Sequence, residues 1–326
     1  MLIDRYNRHL NYLRISVTDL CNLRCMYCMP RRFVPKLPHT DILTYEEILR
    51  IIRTGIGLGI SKIRITGGEP LVRKGICNFL KQVTMLDGLT DISLTTNGVL
   101  LGNNIEKIRS ASIKRINISL DTMNRQTYKK ITGFDCFDRV WEGIELAHNT
   151  GFDPVKINVV PLRGINDNEL AEFAKLSFAY PFHIRFIECM PIGNQKSKIK
   201  NQKSNILAPE IMERISLLGK LNPVKNGKND GPAERYKFDG AIGEIGIIRP
   251  ISHHFCYKCN RLRLTASGRL RACLLSDRQE DLKDPLRNGC SDKELEEIFL
   301  KAVQFKPFEH NVADDSVSGQ MSAIGG

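Results

Sequence analysis

The sequence predicts an α/β protein: six β-strand–helix units that close wholly or partly into a barrel, followed by a smaller α+β region. Three observations predict this. Apolar strand-like runs alternate six times with helical patterns, which is the order that parallel βα units produce. The residues with unusual chemistry fall just after those strands, where barrels carry their active sites. Beyond Gly219 the alternation gives way to a loose linker and a cysteine-bearing hairpin.

The elements follow in order. Strands are expected at 13–17 (LRISV), 62–66 (KIRIT), 91–96 (DISLTT), 115–120 (RINISL), 155–160 (VKINVV) and 183–188 (HIRFIE). The first helix spans 44–58, where Thr44 and Glu47 form a capping box and Ile48, Ile51, Ile52 and Ile56 give an inward stripe. Further helices are read over 76–86, 105–109, 137–149 and 168–178. A polar basic stretch, GNQKSKIKNQKSN (193–205), interrupts the pattern. A short helix over 209–218 and the linker KNGKNDGPAE (225–234) come next. The boundary is set near Gly219, giving regions 1–218 and 219–326. The second region holds GEIGIIRP, the hairpin, and a helix from Ser291 with its capping partner Glu294.

Cys21, Cys25 and Cys28 stand in one run, CNLRCMYC. Three thiolates at this spacing can hold three corners of a cubane iron–sulfur cluster. Ferredoxin-like runs supply four cysteines and structural zinc sites close with four ligands, so an unfinished set leaves one metal position for another molecule. A second trio, Cys256, Cys259 and Cys273, lies in HHFCYKCNRLRLTASGRLRAC. Alternation in both arms predicts a hairpin. A turn centred at Ala266 sets Cys273 opposite Cys259, Arg261 opposite Arg271 and Arg263 opposite Arg269, with Leu262 and Leu270 on the other face. Like charges opposed across a hairpin are destabilising, so this face calls for an anion. Two readings of the second trio stand side by side: a zinc ribbon with His253 or His254 as fourth ligand, or a second iron–sulfur cluster. Cys77, Cys136, Cys189 and Cys290 have no ligand spacing and read as small core residues.

Composition narrows the class. The first residues are charged throughout and lack the apolar core of a secretory signal, and no apolar stretch reaches membrane-span length. These features predict a cytoplasmic protein with no membrane association. Clustered cysteines in such a chain point to metal rather than disulfides. Lys and Arg number 48 against 36 Asp and Glu, a net +12, which favours an anionic partner. The basic residues are not interleaved with aromatics as a stacking platform for nucleic acid would be. A phosphorylated small molecule is the better expectation.

LRISVTDLCNLRCMYCMP, RITGGEPLVR, LTTNG, NISLDT, KINVV, RFIECMPIG, FCYKCNRLRLTASGRLRACL and the terminal Gly325-Gly326 together resemble the GTP 3′,8-cyclase family of molybdenum cofactor biosynthesis. That family lies within the radical S-adenosylmethionine (SAM) superfamily, and the resemblance covers essentially the whole chain. It implies an incomplete (βα)6 barrel of the radical SAM type with a smaller C-terminal α+β cluster-binding region. It implies two [4Fe-4S] clusters, one on Cys21, Cys25 and Cys28 with SAM on its open iron. The other, on Cys256, Cys259 and Cys273, would face the guanine base of GTP. Tyr27, Gly68, Ser119 and Met190 resemble SAM contacts. Arg14, Arg64, Thr95, Lys156, Arg185, Arg261 and Arg263 resemble GTP contacts. Arg261, Arg263, Gly325 and Gly326 are implied to take part in the reaction.

Four of these residues are also singled out without the family. Arg14, Arg64, Lys156 and Arg185 are charges in or beside apolar strands, where a charge is costly unless paired. The implied reaction begins when a 5′-deoxyadenosyl radical takes the 3′ hydrogen of GTP. The sugar radical then adds to guanine C8. The implied partners are an electron donor of flavodoxin or ferredoxin type, a second copy in a homodimer, and cyclic pyranopterin monophosphate synthase as acceptor of the product. A peptide-modifying maturase of the same superfamily is the alternative, but such enzymes carry longer, more cysteine-dense C-terminal regions.

Overall fold

Six strands form where the apolar runs predict them, each within a residue: β1 Tyr12–Ser16, β2 Lys62–Thr66, β3 Asp91–Thr96, β4 Arg115–Ser119, β5 Val155–Val159 and β6 His183–Ile187. The computed structural model describes residues 1–28, 36–190, 192, 205–225, 227, 231–310 and 321–324. The six strands pair in parallel in chain order. Helices α1 Tyr45–Gly57, α2 Ile76–Thr84, α3 Ile105–Ser110, α4 Arg125–Thr132, α5 Phe137–Asn149 and α6 Leu170–Ala179 connect them. The capping box of α1 is formed: Thr44 Oγ1 accepts from Glu47 N and Glu47 Oε2 accepts from Thr44 N. Helix α4 is not legible in the sequence, because RQTYKKIT buries only Tyr128, Ile131 and Thr132. Asn124 starts it by accepting from the backbone of Gln126 and Thr127, and Gly133, at φ 81°, ends it.

Alternation along the strands divides the molecule into two environments. Leu13, Ile15, Ile63, Ile65, Leu94, Ile116, Ile118, Ile157, Ile184 and Phe186 are fully buried in the main apolar core. Their neighbours in sequence carry the polar groups Tyr12, Arg14, Arg64, Ser93, Asn117, Lys156 and Arg185. Side chains alternate across a strand, so the apolar set packs on the helices and the polar set faces the interior. A (β/α)8 barrel fills its interior with bulky apolar layers; here the interior is lined with charge.

Residues after Gly219 add strands to both edges of this same sheet. These are β7 Leu221–Val224, β8 Glu234–Phe238, β9 Glu244–Ile248, β10 Arg261–Leu264, β11 Arg269–Arg271 and β12 Glu280–Asp281. The order is β12-β11-β10-β1-β2-β3-β4-β5-β6-β9-β8-β7. Strand β10 runs parallel to β1 and β9 parallel to β6, while the outer strands are antiparallel. The sheet therefore ends in two edges and forms an incomplete barrel. Strands β7, at the edge, and β8, beside it, escape the sequence reading because they are half-buried and lack clean alternation. Helices α7 Ala208–Ser216, α8 Lys283–Arg287, α9 Asp292–Gln304 and α10 Met321–Ile324 complete the fold. Helix α9 opens with the expected Ser291–Glu294 capping box. Among the described residues no helix is long and apolar enough to cross a membrane.

The β10–β11 hairpin corrects the expected register. Arg263 pairs with Arg271 and Leu264 with Leu270, so Arg263 does not face Arg269, nor Arg261 Arg271, and Cys259 does not face Cys273. The loop centres on Ser267: Thr265 N donates to Arg269 O at 2.9 Å and Gly268 N to Thr265 O at 3.1 Å. Gly268 sits at φ 78°, the left-handed residue that a three-residue hairpin loop requires. Because the shift is two residues, the leucines keep their face. Arg269 and Arg271 find carboxylates at Asp281 (2.7 Å) and Asp277 (3.5 Å).

Candidate active site

Both cysteine trios line one cavity of about 300 Å³ inside the open barrel. Tyr27, Gly68, Ser119 and Met190 border it, as do Arg14, Arg64, Thr95, Arg185, Arg261 and Arg263. Lys156 instead lines a small side chamber with Lys62, Ser93, Arg115 and Asn117, and Arg64 and Arg185 border both spaces. Gly325 and Gly326 lie outside the described residues. Helix α10, which ends at their threshold, puts Met321 in the cavity wall and buries Ile324 with Ile192, Leu274 and Leu275. Met190 and Cys273 pack against the same small apolar cluster.

The first trio is held by the loops at the strand ends. Gly68 N donates to Thr18 O and Glu69 N to Leu20 O, both at 2.7 Å, so the GGEP turn is laced to the residues just before Cys21. A Cβ on Gly68 would lie 2.3 Å from Leu20 O, which only glycine avoids. On the other side Arg24 N and Met26 N donate to Thr132 O and Ile131 O at the end of α4. The helix missed in the sequence is thus a support of the cysteine loop.

Three carboxylate and amide groups at this site are present in the quoted motifs but carry no task from sequence alone. Glu69 is fully buried and accepts from Leu71 N, Thr96 Oγ1 (2.8 Å) and Asn97 N (2.7 Å). Burial pushes its carboxyl up to about 7 against the pull of those bonds. Asn97 donates through Nδ2 to Asn22 Oδ1 at 2.8 Å and lies 3.7 Å from Cys21 Sγ. Asp121 accepts from Tyr27 OH at 2.7 Å and from Val160 N at 2.9 Å. Burial raises Asp121 to about 6 despite both bonds. Their place directly after parallel strands marks them in the sequence; what each one bonds to does not show there.

Whether the trios suit a metal cluster can be judged from the donors. All six cysteines are free thiols. Burial raises Cys21 to about 11 and drives Cys25 well above the ordinary thiol, with the charges of Asp121, Cys28 and Cys21 adding to it. Such thiols ionise readily only when a cation replaces the proton. One tetrahedral zinc at about 2.3 Å from each sulfur would hold its sulfurs about 3.8 Å apart. Among the described residues the compact set of ligand atoms, all within 4.8 Å of one another, is His254, Cys256 and His310, not either cysteine trio. Neither trio is therefore drawn in to the spacing of a single zinc ion. His310 Nδ1 lies 3.2 Å from Cys256 Sγ, and its Nε2 is 3.0 Å from Pro250 O. At Cys259 burial acts upward, but Arg261 and Lys306 outweigh it and bring the thiol down to about 6.

The cations form a row. In register, Arg14 on β1 stands beside Arg64 on β2 and Arg263 on β10. Burial holds Arg14 well below an ordinary guanidinium, and Arg263, Arg64 and Arg261 push the same way. Burial and Arg261 together take Arg263 down to about 9, with Cys273 and Cys259 opposing. In the side chamber Lys62 and Arg115 share Asp91, the lysine at 2.8 Å. Neither Lys62 nor Arg115 is singled out from sequence, since a basic residue at a strand start usually faces solvent. Buried like charges at neighbouring strands suit a polyanion, and guanidinium forks bind phosphate oxygens bidentately.

Comparison with known proteins agrees with this geometry. Residues 15–177 match the Radical SAM superfamily and 182–312 match Molybdenum Cofactor Synthesis C. A relative named GTP 3′,8-cyclase from Thermodesulfovibrio yellowstonii is 48% identical, over 93% of this chain and 94% of its own. Relatives of the same name from Heliobacterium modesticaldum (45%, all of both chains) and Moorella thermoacetica (47%, 99% of both) match as fully. In fold the chain is similar to Streptococcus suis SuiB, with TM-score 0.61 at 15% identity, covering 86% of this chain and 67% of that one. It is similar also to native anSMEcpe with bound AdoMet, with TM-score 0.58 at 15% identity, covering 94% and 82%. Fold and first trio define a radical SAM enzyme, a class that works with SAM and an iron–sulfur cluster. Within it, the chain belongs to the GTP 3′,8-cyclase family.

Proposed function

We propose that this chain converts GTP to (8S)-3′,8-cyclo-7,8-dihydroguanosine 5′-triphosphate, an early step of molybdenum cofactor biosynthesis. The observation that carries this reading is that both cysteine trios and the arginine row line one cavity. Cys21, Cys25 and Cys28 would hold the cluster that binds SAM, and Cys256, Cys259 and Cys273 a second [4Fe-4S] cluster toward the guanine. When bound, SAM and the first cluster would supply a 5′-deoxyadenosyl radical able to take the 3′ hydrogen of GTP; closure of the sugar carbon onto C8 would leave an unpaired electron on the guanine, which one electron and one proton would convert to the 7,8-dihydro product.

The chain's own part is positioning and exclusion. Tyr27, Gly68, Ser119 and Met190 form the SAM side of the wall. Arg14, Arg64 and Arg185 take the triphosphate, with Lys156 reaching it from the side chamber. Thr95, Arg261 and Arg263 orient the nucleoside, and Gly325 and Gly326 enter as the flexible end of the chain. The apolar side chains of Met190, Leu274, Leu275 and Met321 keep water and other hydrogen sources from the reacting atoms. The enzyme works as a cytoplasmic homodimer, receives electrons from a flavodoxin- or ferredoxin-type donor, and passes its product to cyclic pyranopterin monophosphate synthase.

An anaerobic assay of the reconstituted protein with dithionite, SAM and GTP deuterated at C3′ tests this reading. One deuterium in 5′-deoxyadenosine, together with a cyclised GTP product, is the expected result. Unlabelled deoxyadenosine without that product would remove GTP as the substrate and bring the peptide-maturase reading forward.

A further inference from the structure

Lys306 lies just beyond the last turn of α9, and its ammonium is placed where a surface lysine would not be. The residue is 2% exposed. Its Nζ donates to Arg261 O at 3.0 Å and to Ala272 O at 2.5 Å. Arg261 follows Cys259 by two residues, and Ala272 immediately precedes Cys273. The β10–β11 ladder stops at Arg263 and Arg271, so the hairpin is open at the end where the cysteines lie. The ammonium bridges that open end.

We propose that Lys306 is a positioning residue for the second cysteine trio, tying together the two chain segments that carry Cys259 and Cys273 and offsetting the negative charge of their thiolates. The proposal rests on the reading that this trio holds an iron–sulfur cluster. Its geometric support comes from what fixes Lys306 itself. Leu295, Phe299, Ala302 and Val303 of α9 are buried in the main core, and Lys306 N donates to Val303 O. The next two residues are held from the opposite terminus. Arg8 donates to Pro307 O (2.7 Å), to Phe308 O (3.0 Å) and to Cys256 O (2.7 Å), while its Nε is 2.6 Å from Asp4 Oδ2.

Two buried cations thus reach the backbone beside all three cysteines. The electrostatics agree with the geometry: burial lowers the pKa of Lys306, and Cys259 and Cys273 act against that lowering. An isolated buried ammonium is costly, and its cost is offset where it is paired and hydrogen-bonded. A positive charge beside the cysteine segments favours the more negative, reduced form of a cluster, so its removal lowers the reduction potential.

The experiment uses the full chain with Cys21, Cys25 and Cys28 replaced by Ala, so that iron reports only the second trio. Parent, Lys306→Met, Lys306→Gln and Lys306→Arg are reconstituted anaerobically. Iron and sulfide per chain, iron loss to a chelator, and the midpoint potential by EPR-monitored titration are read. Lys306→Met is expected to lose iron at least about tenfold faster. Its potential is expected to fall by about 59 mV, the one-electron equivalent of a tenfold change in equilibrium. Lys306→Gln keeps N–H donors, so the fold survives without the charge, and the same fall in potential is expected. Lys306→Arg should restore the potential. Potentials and iron loss equal to the parent in both Met and Gln variants would overturn the proposal. A parent that takes up no iron at this trio would overturn the two-cluster reading and this inference with it, and the parent measurement alone reveals which has failed.

Discussion

Replacing Arg263 by Met should separate binding from stability, because the structure charges it with both. Arg263 is 5% exposed and lies in register beside Arg14, with Arg64 one strand further. Burial and Arg261 bring its pKa down to about 9, which, at about 1.4 kcal/mol per tenfold, corresponds to a few kcal/mol for keeping it charged at neutral pH. The folded value is the lower one, so this cost is present at all pH below about 9 and fades only above it. Water in the cavity and the neighbouring thiols of Cys259 and Cys273 offset part of it, so only a fraction, about 1–4 kcal/mol, is expected back when the charge is removed. Metal-free, nucleotide-free Arg263→Met should therefore unfold at higher urea than the parent, by about 1–4 kcal/mol. GTP affinity of the reconstituted enzyme should fall roughly ten- to a hundredfold, the weight of a charge-assisted hydrogen bond of about 1.5–3 kcal/mol. Urea unfolding and equilibrium dialysis under anaerobic conditions read the two effects. A variant that is less stable while binding GTP as before would show that Arg263 is a strut, and the argument from the arginine row would fail.

Three further outcomes are expected. Gly68→Ala drives a Cβ to 2.3 Å from Leu20 O and should detach the GGEP turn from the first trio; iron per chain in a Cys256→Ala, Cys259→Ala, Cys273→Ala background should drop, and full retention would refute the lacing. Glu69 binds its proton more tightly in the folded chain, at about 7 against 4.5, so its stabilising contribution is present at low pH and lost as pH rises through about 7. The unfolding temperature of the metal-free parent minus that of Glu69→Gln should accordingly decline between about pH 5 and about pH 8, and a flat difference would contradict the burial argument. Lys156→Met should weaken GTP binding roughly tenfold or more while leaving guanosine binding unchanged, as loss of a charge-assisted contact to phosphate requires; an equal loss for both ligands would move Lys156 away from the triphosphate.

Local pattern carried much of this protein into view. The six parallel strands are legible because each couples a β-branched apolar face to a polar one, an order that short-range sterics and burial enforce together. Both capping boxes are legible for the same reason: their donors and acceptors lie within four residues. The two cysteine trios and the inward arginines could be picked out by residue type, since few side chains ligate iron or hold charge inside a sheet.

Tertiary structure decided the rest, wherever the deciding contact is distant in sequence. Gly268 packs 2.7 Å (as a notional Cβ) from the Lys283 side chain, and that loop set the hairpin two residues away from the register its alternation suggested. Strands β9 and β10 join opposite edges of the barrel sheet, which no local pattern specifies because it depends on which edges remain open. The tasks of Glu69, Asn97 and Asp121 emerged only when neighbouring strand ends met around the cavity. Lys306 and Arg8 belong to no motif in the sequence; the burial of one and the four-way bonding of the other exist only because the two termini fold onto the second cysteine loop. Sequence names the groups capable of the chemistry, and the long-range closure of the sheet determines which of them share one enclosed space.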